Sequence, residues 1–382
     1  MTVVIFIIIL AILVLVHECG HFVAAKLSGI RVDEFGLGFP PRATGFKKGE
    51  TTYSLNWIPF GGFVKIFGED GETGGETDGK SVTGRNTAAS NRGLTAKNPR
   101  SFANKPKWIQ AIVLITGILF NIIFAWLVLS LGFAIGMPVP QDYSLSNTTV
   151  ANVAITITSV DTGSPAAKAG LQTGDAILGL SSGSDHLLDY SIGSVQDFVA
   201  SHPNQVVAVT YRRGSKTNTT SITPLTGLVP GKAAIGVSLD LFGILKLPWW
   251  SSLWQGLKLT WAIIEQTTIG LAQFFYQAVT GTANLSEVTG PVGIAGLVGQ
   301  AASLGFVYLL TFIAFISINL AIINLIPFPA LDGGRLLFVL IEKIKGSAIN
   351  PKVASSLNTI GFALLIVLMI VVTYHDVINL IH

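Results

Sequence analysis

The chain has 382 residues, 50% of them hydrophobic and 12% charged, with a formal net charge of +3 and a mean hydropathy of +0.60. A charged fraction about half that of soluble domains excludes an ordinary soluble enzyme, and a small, dispersed positive charge leaves no footprint for nucleic acid. The single cysteine, Cys19, excludes an internal disulfide framework and a thiolate metal site.

A bilayer crossing needs about 20 mostly apolar residues. The pattern predicts four such helices, over residues 1–30, 107–137, 303–335 and 356–381. The first reads as a span rather than a cleaved leader. No Lys or Arg precedes its apolar run, no small-x-small site follows, and the run leads directly into a charged motif. A fifth apolar stretch, 247–282, is broken by Lys258, Glu265, Gln266 and Gln273 and carries Trp249, Trp250, Trp254 and Trp261 near one end. That composition suits a helix lying in the membrane interface.

Positive charge sets the expected orientation. Lys26–Lys107 holds 13 Lys/Arg, Pro138–Phe306 holds 7 and Arg335–Lys352 holds 4. Cytoplasmic loops carry the excess, so 31–106 is expected inside and the long middle segment outside.

Within the first predicted span lies His17-Glu18-Cys19-Gly20-His21, an H-E-x-x-H. Residues four apart share one helix face, so His17 and His21 can offer two imidazoles to one zinc ion, with Glu18 beside them as a proton acceptor for a zinc-activated water. Five residues alone are a weak signal, but the setting strengthens it. One charged residue inside a spanning helix costs at least about 2.5 kcal/mol on insertion scales, and such residues are functional as a rule. Here two histidines and a glutamate follow an unbroken apolar run from Val3 to Val16.

A catalytic zinc site has three protein ligands and an open position. His186, His202, His375 and His382 fall in the middle segment or near the far end. Asp332 is the better candidate for the third ligand. It sits in Asn324–Arg335, N-L-I-P-F-P-A-L-D-G-G-R, where the third span meets its loop. Depth agrees: His17 comes about 15 residues into the first span, roughly 22 Å at helical rise, and Asp332 lies toward the same side. Pro327, Pro329, Gly333 and Gly334 are expected to break the helix there, so that irregular backbone lines a polar cavity.

An H-E-x-x-H in a first span followed far downstream by N-x-x-P-x-P-x-L-D-G-G resembles the site-2 protease family of intramembrane zinc metalloproteases, and most closely its bacterial regulator of sigma-E protease branch. The resemblance covers nearly the whole chain. It implies His17, His21 and Asp332 as ligands of one Zn2+ and Glu18 as the catalytic base. Gly117–Asn121 resembles the branch's G-x-x-x-N, whose Asn binds substrate or orders the site; an amide in a spanning helix serves equally as a helix–helix hydrogen bond. Asn324, before the broken helix, is a second substrate-binding candidate.

Between the first two spans, Phe35–Phe67 is rich in Gly, Pro and aromatics, with short strands expected at Tyr53–Leu55 and Phe63–Ile66. The resemblance implies a membrane-associated β-hairpin there, making Gly61, Gly62 and Phe63 further substrate-binding candidates, since an open strand edge captures an unwound substrate by strand addition. Glu69–Asn98, full of Gly, Thr, Ser, Asn and acids, reads as a flexible linker.

Residues 149–240 change character, with Thr/Val/Ile-rich runs between glycine turns, as in a small mostly-β domain. Gly163–Leu178, G-S-P-A-A-K-A-G-L-Q-T-G-D-A-I-L, resembles the PDZ pattern. Such a domain either binds extended peptide or acts as a steric filter. Thr289–Ala295, T-G-P-V-G-I-A, resembles a family segment whose chemistry the residues alone do not reveal.

The expectation is therefore a multi-pass α-helical membrane protein with four transmembrane helices, a membrane-associated β-hairpin and one outward PDZ domain. By resemblance it sits in the bacterial cytoplasmic membrane with its site toward the cytoplasm, and cuts single-span membrane proteins such as anti-sigma factors or signal-peptide remnants. The rival expectation is a non-enzymatic membrane PDZ scaffold whose metal is structural, which a closed four-ligand site would favour.

Overall fold

The structure is a computed structural model describing residues 2–69, 98–143, 150–229, 231–282 and 288–381. All but the ends of the expected linker lie outside these residues. In chain order the first elements are α1 (Thr2–Leu27), β1 (Val32–Lys48), β2 (Thr51–Ile66), α2 (Lys107–Ile135), β3 (Met137–Pro140), β4 (Ala151–Val160), α3 (Pro165–Lys168), β5 (Ala176–Ser182), β6 (Asp185–His186) and α4 (Ile192–Ser201). There follow β7 (Val207–Arg213), β8 (Lys216–Ile222), β9 (Leu225–Val229), β10 (Lys232–Ala234), β11 (Val237–Leu245), α5 (Trp249–Thr280), α6 (Pro291–Leu304), α7 (Phe306–Leu325), α8 (Asp332–Lys345) and α9 (Pro351–Ile381). The chain divides into two units, one of Met1–Leu127, Lys258–Leu297 and Ile313–His382, the other of Val128–Leu257 and Val298–Phe312.

Four of the described helices are long and apolar enough to cross a membrane: Thr2–Leu27, Lys107–Ile135, Phe306–Leu325 and Pro351–Ile378. The 26 residues of α1 span roughly 39 Å at helical rise, more than the hydrocarbon core of a bilayer. The 32-residue α5 is not among the four, because its Lys, Glu and Gln dilute the apolar run.

In the first unit, Ala24, Ala25, Ile30, Val32, Ile66, Val113, Leu114 and Val339 form a buried cluster joining α1, β1, β2, α2 and α8. The segment expected as short strands in a loop instead forms two long antiparallel strands. Glycine permits this by close approach: a Cβ on Gly36 would lie 2.5 Å from the Phe63 ring, and one on Gly38 the same distance from the Ile58 carbonyl. Glu34 partners both Lys65 and Thr52, and Phe35 both Val64 and Tyr53, so the first half of β1 is flanked by both ends of β2.

The third apolar helix also departs from expectation. It ends at Leu325, and Asp332 opens a separate helix instead of closing the span. Gly333 and Gly334 are not breakers but members of the first turn of α8. A Cβ on Gly333 would lie 2.3 Å from the Ile326 carbonyl, and one on Gly334 2.2 Å from that of Phe328. The break lies in the six residues between the helices, where Ala330 has φ 78° and the Phe328 N–H turns back to Ile326 O at 2.7 Å.

Helix α6 was not anticipated, and its start accounts for Thr289–Ala295. Asp376 of α9, 7% exposed, accepts the backbone N–H groups of Gly290 at 3.1 Å and Gly293 at 2.8 Å. These are among the donors that a helix N-terminus leaves unpaired. A Cβ on Gly290 would come within 2.7 Å of the Asp376 carboxylate, so glycine is required for the approach.

The second unit is built on a sheet of order β3-β11-β4-β5-β7-β8, with β6 on β5. Its core is filled by Ile155, Ile157, Leu180, Val207, Val209 and Tyr211, the inward set of strands that alternate in and out, together with Val195 and Val199 from one face of α4. Ser164 caps α3 by accepting the Ala167 N–H at 3.1 Å, with Pro165 at the first helical position. The Gly174-Asp175 turn is fixed by its aspartate. Buried Asp175 accepts Arg213 Nε at 2.7 Å and a terminal guanidinium nitrogen at 2.6 Å, and the Gln172 N–H at 2.9 Å.

Candidate metal centre

Helix α1 buries one stripe: Ile9, Leu13, His17, Gly20, His21, Ala24 and Ala25. Spacings of three and four residues keep these on one face, so the histidines point inward because they continue an apolar stripe. They are 7% and 6% exposed. Small residues bring α2 against that stripe. A Cβ on Gly20 would lie 2.4 Å from the Thr116 carbonyl, and one on Gly117 2.4 Å from His21 Nε2. Gly117 thus leaves the room that the second imidazole occupies.

From the start of α8, Asp332 completes a triangle. His17 Nε2 is 2.9 Å from Asp332 Oδ2, His21 Nε2 is 3.2 Å from the same oxygen, and the two Nε2 atoms are 3.1 Å apart. Among the described residues this is the one group of three or more His, Cys, Asp or Glu whose ligand atoms converge. Zinc–ligand bonds of about 2.0–2.1 Å in a tetrahedron give ligand–ligand edges of about 3.3 Å, so three edges of 2.9–3.2 Å frame one tetrahedral face. Two imidazole nitrogens and a carboxylate oxygen are donors zinc accepts, and no fourth His, Cys, Asp or Glu joins them among the described residues.

Partners outside the triangle orient the rings. His21 Nδ1–H donates to the Val113 carbonyl of α2 at 2.8 Å, which turns the lone pair of Nε2 toward the centre. Asn121, 0% exposed, lies with Nδ2 3.4 Å from His17 Nδ1, and Ser317 of α7 donates to the Asn121 backbone carbonyl at 2.9 Å. Glu18 is next to the stripe and half-buried. A Cβ on Gly62 would lie 3.7 Å from Glu18 Cγ and 3.9 Å from Val14, so the second half of β2 runs directly past Glu18.

The remaining candidates divide. Gly61, with φ 93°, and Gly62 are buried, and Phe63 packs over Gly36. Asn324 is half-buried near the end of α7. Sequence reasoning missed Gly20, Val113 and Thr116. None carries a chemical signature, since a glycine and two backbone carbonyls matter only through helix approach. Gly117 was visible in G-x-x-x-N, without the reason for it.

The chain matches the model of peptidase family M50 over residues 5–368. It is 35% identical to a protein of Clostridium perfringens named a zinc metalloprotease, over 96% of this chain and 95% of that one. To the regulator of sigma-W protease RasP of Bacillus subtilis it is 31% identical, over 98% of each. The zinc metalloprotease RasP of Geobacillus kaustophilus is 29% identical, over 97% and 96%. A solved PDZ domain from Listeria monocytogenes matches 22% of this chain and 86% of its own length, at 24% identity and a TM-score of 0.20.

Proposed function

The chain belongs to peptidase family M50, the site-2 zinc metalloproteases, and from that premise we propose how its own residues carry out intramembrane proteolysis. His17, His21 and Asp332 hold one Zn2+, and Glu18 is the general base. Bound zinc supplies electrophilic polarisation and a water acidic enough to act at neutral pH. Glu18 takes the proton of the attacking water and delivers it to the amide nitrogen that leaves, the two-stage role open to a carboxylate within reach of both. The single observation that carries this reading is the convergence of three ligand atoms from α1 and α8, with no fourth His, Cys, Asp or Glu joining them among the described residues. That opening separates it from a closed structural site.

Proteolysis needs extended substrate. The second half of β2 has β1 on one side and passes Glu18 at Gly62. In this reading the substrate adds as a strand along Gly61, Gly62 and Phe63, and side-chain bulk at the glycines would separate it from the base. Asn324 contacts the substrate from the end of α7.

The four apolar helices support a multi-pass membrane protein, and the charge bias supports a site toward the cytoplasmic side of a bacterial cytoplasmic membrane. Helix α5, with Trp249, Trp250, Trp254 and Trp261 exposed, lies in the interface. Residues 149–240 are a PDZ domain facing outward. On the side away from β4, β11 pairs with β3 from Phe242 onward and Leu241 O accepts the Gln141 N–H at 2.8 Å, so among the described residues Val237–Asp240 offer an edge for a peptide. Substrates are single-span membrane proteins, anti-sigma factors and signal-peptide remnants among them.

The test is cleavage by the zinc-loaded protein in lipid vesicles of a tagged single-span substrate, with the cut site mapped by mass spectrometry. A cut within or at the edge of the span supports the proposal. Cuts confined to soluble segments, or none in a panel of spans including an anti-sigma factor, contradict it.

A further inference from the structure

The geometry points to Glu69 and Arg335 as a positioning pair that fixes the substrate strand relative to the metal centre. Strand β2 ends at Ile66, and a turn carries the chain to Glu69: Phe67 N–H bonds to Arg31 O at 3.0 Å, Gly68 has φ 76°, and Glu69 N–H reaches Ile66 O at 3.3 Å. The Glu69 carboxylate accepts a guanidinium N–H of Arg335. The side chains are 13% and 36% exposed, so the pair is partly shielded from water, where a charge-assisted bond is stronger than at an open surface.

Arg335 stands three residues after Asp332, on the same face of α8. That face continues through Leu336 and Val339, which pack on the buried cluster, to Glu342, whose carboxylate binds Lys107 Nζ of α2 at 2.5 Å. Two ion pairs seven residues apart, about two helical turns, therefore clamp α8. The Lys107–Glu342 pair ties it to the helix that carries Val113 and Asn121. The Glu69–Arg335 pair ties its first turn, where Asp332 sits, to the end of the strand that passes Glu18. A substrate strand laid on β2 is held by one end of this clamp and the third ligand by the other. Their separation decides whether a peptide carbonyl meets the metal, and a misplacement of about 1 Å costs roughly a hundredfold in rate.

The inference rests on the protease reading, so its test separates the two. Glu69→Ala, Arg335→Ala, the double variant and Arg335→Lys are compared for zinc content, for kcat and KM on the single-span substrate, and for amide exchange across Val64–Gly68. Zinc stays bound in all four. In each single alanine variant kcat falls about tenfold or more and exchange at the end of β2 quickens. The double variant is no worse than either single one, as for groups that act as a unit, and Arg335→Lys recovers most of the loss. Unchanged kcat and exchange in the single variants, or losses that multiply in the double variant, overturn the inference. If the unaltered protein cuts nothing, the protease reading fails by itself, and exchange alone decides whether the pair holds the strand.

Discussion

Asn121 faces His17 with its amide nitrogen 3.4 Å from Nδ1, while its buried side-chain oxygen Oδ1 has no hydrogen-bond partner among the described residues. Turning the amide by half a rotation exchanges two atoms of nearly identical shape. Oδ1 then accepts the His17 Nδ1–H, the orphaned oxygen is satisfied, and Nε2 keeps its lone pair for the metal. In this arrangement Asn121 does for His17 what the Val113 carbonyl does for His21.

Replacing Asn121 with alanine should therefore weaken zinc binding by about 10–100-fold, the usual cost of losing such an outer partner. Asn121→Asp, which keeps the acceptor, should retain most of the affinity. Competition against a chelator measures it. Unaltered affinity with a raised KM would instead assign Asn121 to the substrate.

Gly117→Ala normally gains about 1 kcal/mol of helix propensity. Here the new methyl would stand 2.4 Å from His21 Nε2, between the ring and the position it needs. The variant is expected to bind zinc weakly and to lose nearly all activity while remaining helical, which circular dichroism and metal analysis check together.

Asp376 joins α9 to the start of α6. Asp376→Leu strips the partner from the Gly290 and Gly293 amides, at about 1–3 kcal/mol for each buried group left unpaired. Thermal unfolding in detergent should show a lowered midpoint, with Asp376→Asn between the two. Zinc content should not change, because none of these atoms touches the centre.

Glu50 lies outside the apolar helices, and Lys26 in the last turn of α1 and then Arg100 hold it below the usual carboxylate range through hydrogen bonds to its oxygens. A depressed folded-state pKa stabilises above the unfolded value of about 4.3, and the contribution disappears as pH falls through the folded value. Glu50→Gln should thus lower stability at pH 7 and make no difference near the acid end. The effect is about 1 kcal/mol at most for so exposed a pair, and unfolding midpoints of the two proteins across pH measure it.

The parts legible in the sequence are those whose residue types are out of place. His17, Glu18 and His21 stood out against an apolar helix, and Asp332 against the prolines and glycines around it. The four apolar helices followed from length and composition alone. What remained hidden depends on approach between segments. Gly333 and Gly334 read as breakers because glycine usually is one, whereas here they admit the carbonyls of Ile326 and Phe328 against the first turn of α8. The strands through Gly36, Gly38, Gly61 and Gly62 were obscured by residues with low strand propensity, tolerated because they let ring and backbone come close. Helix α6 was missed because its start is stabilised by a carboxylate more than 80 positions later in the chain.

The most direct test of the central claim compares zinc content and cleavage of a single-span substrate for the unaltered protein and Glu18→Gln. The glutamine keeps the shape of Glu18 but cannot take a proton. One zinc per chain in both proteins, with cleavage reduced by about a hundredfold or more in the variant, is the predicted result. Equal cleavage by the two proteins, or the absence of zinc from both, would contradict it.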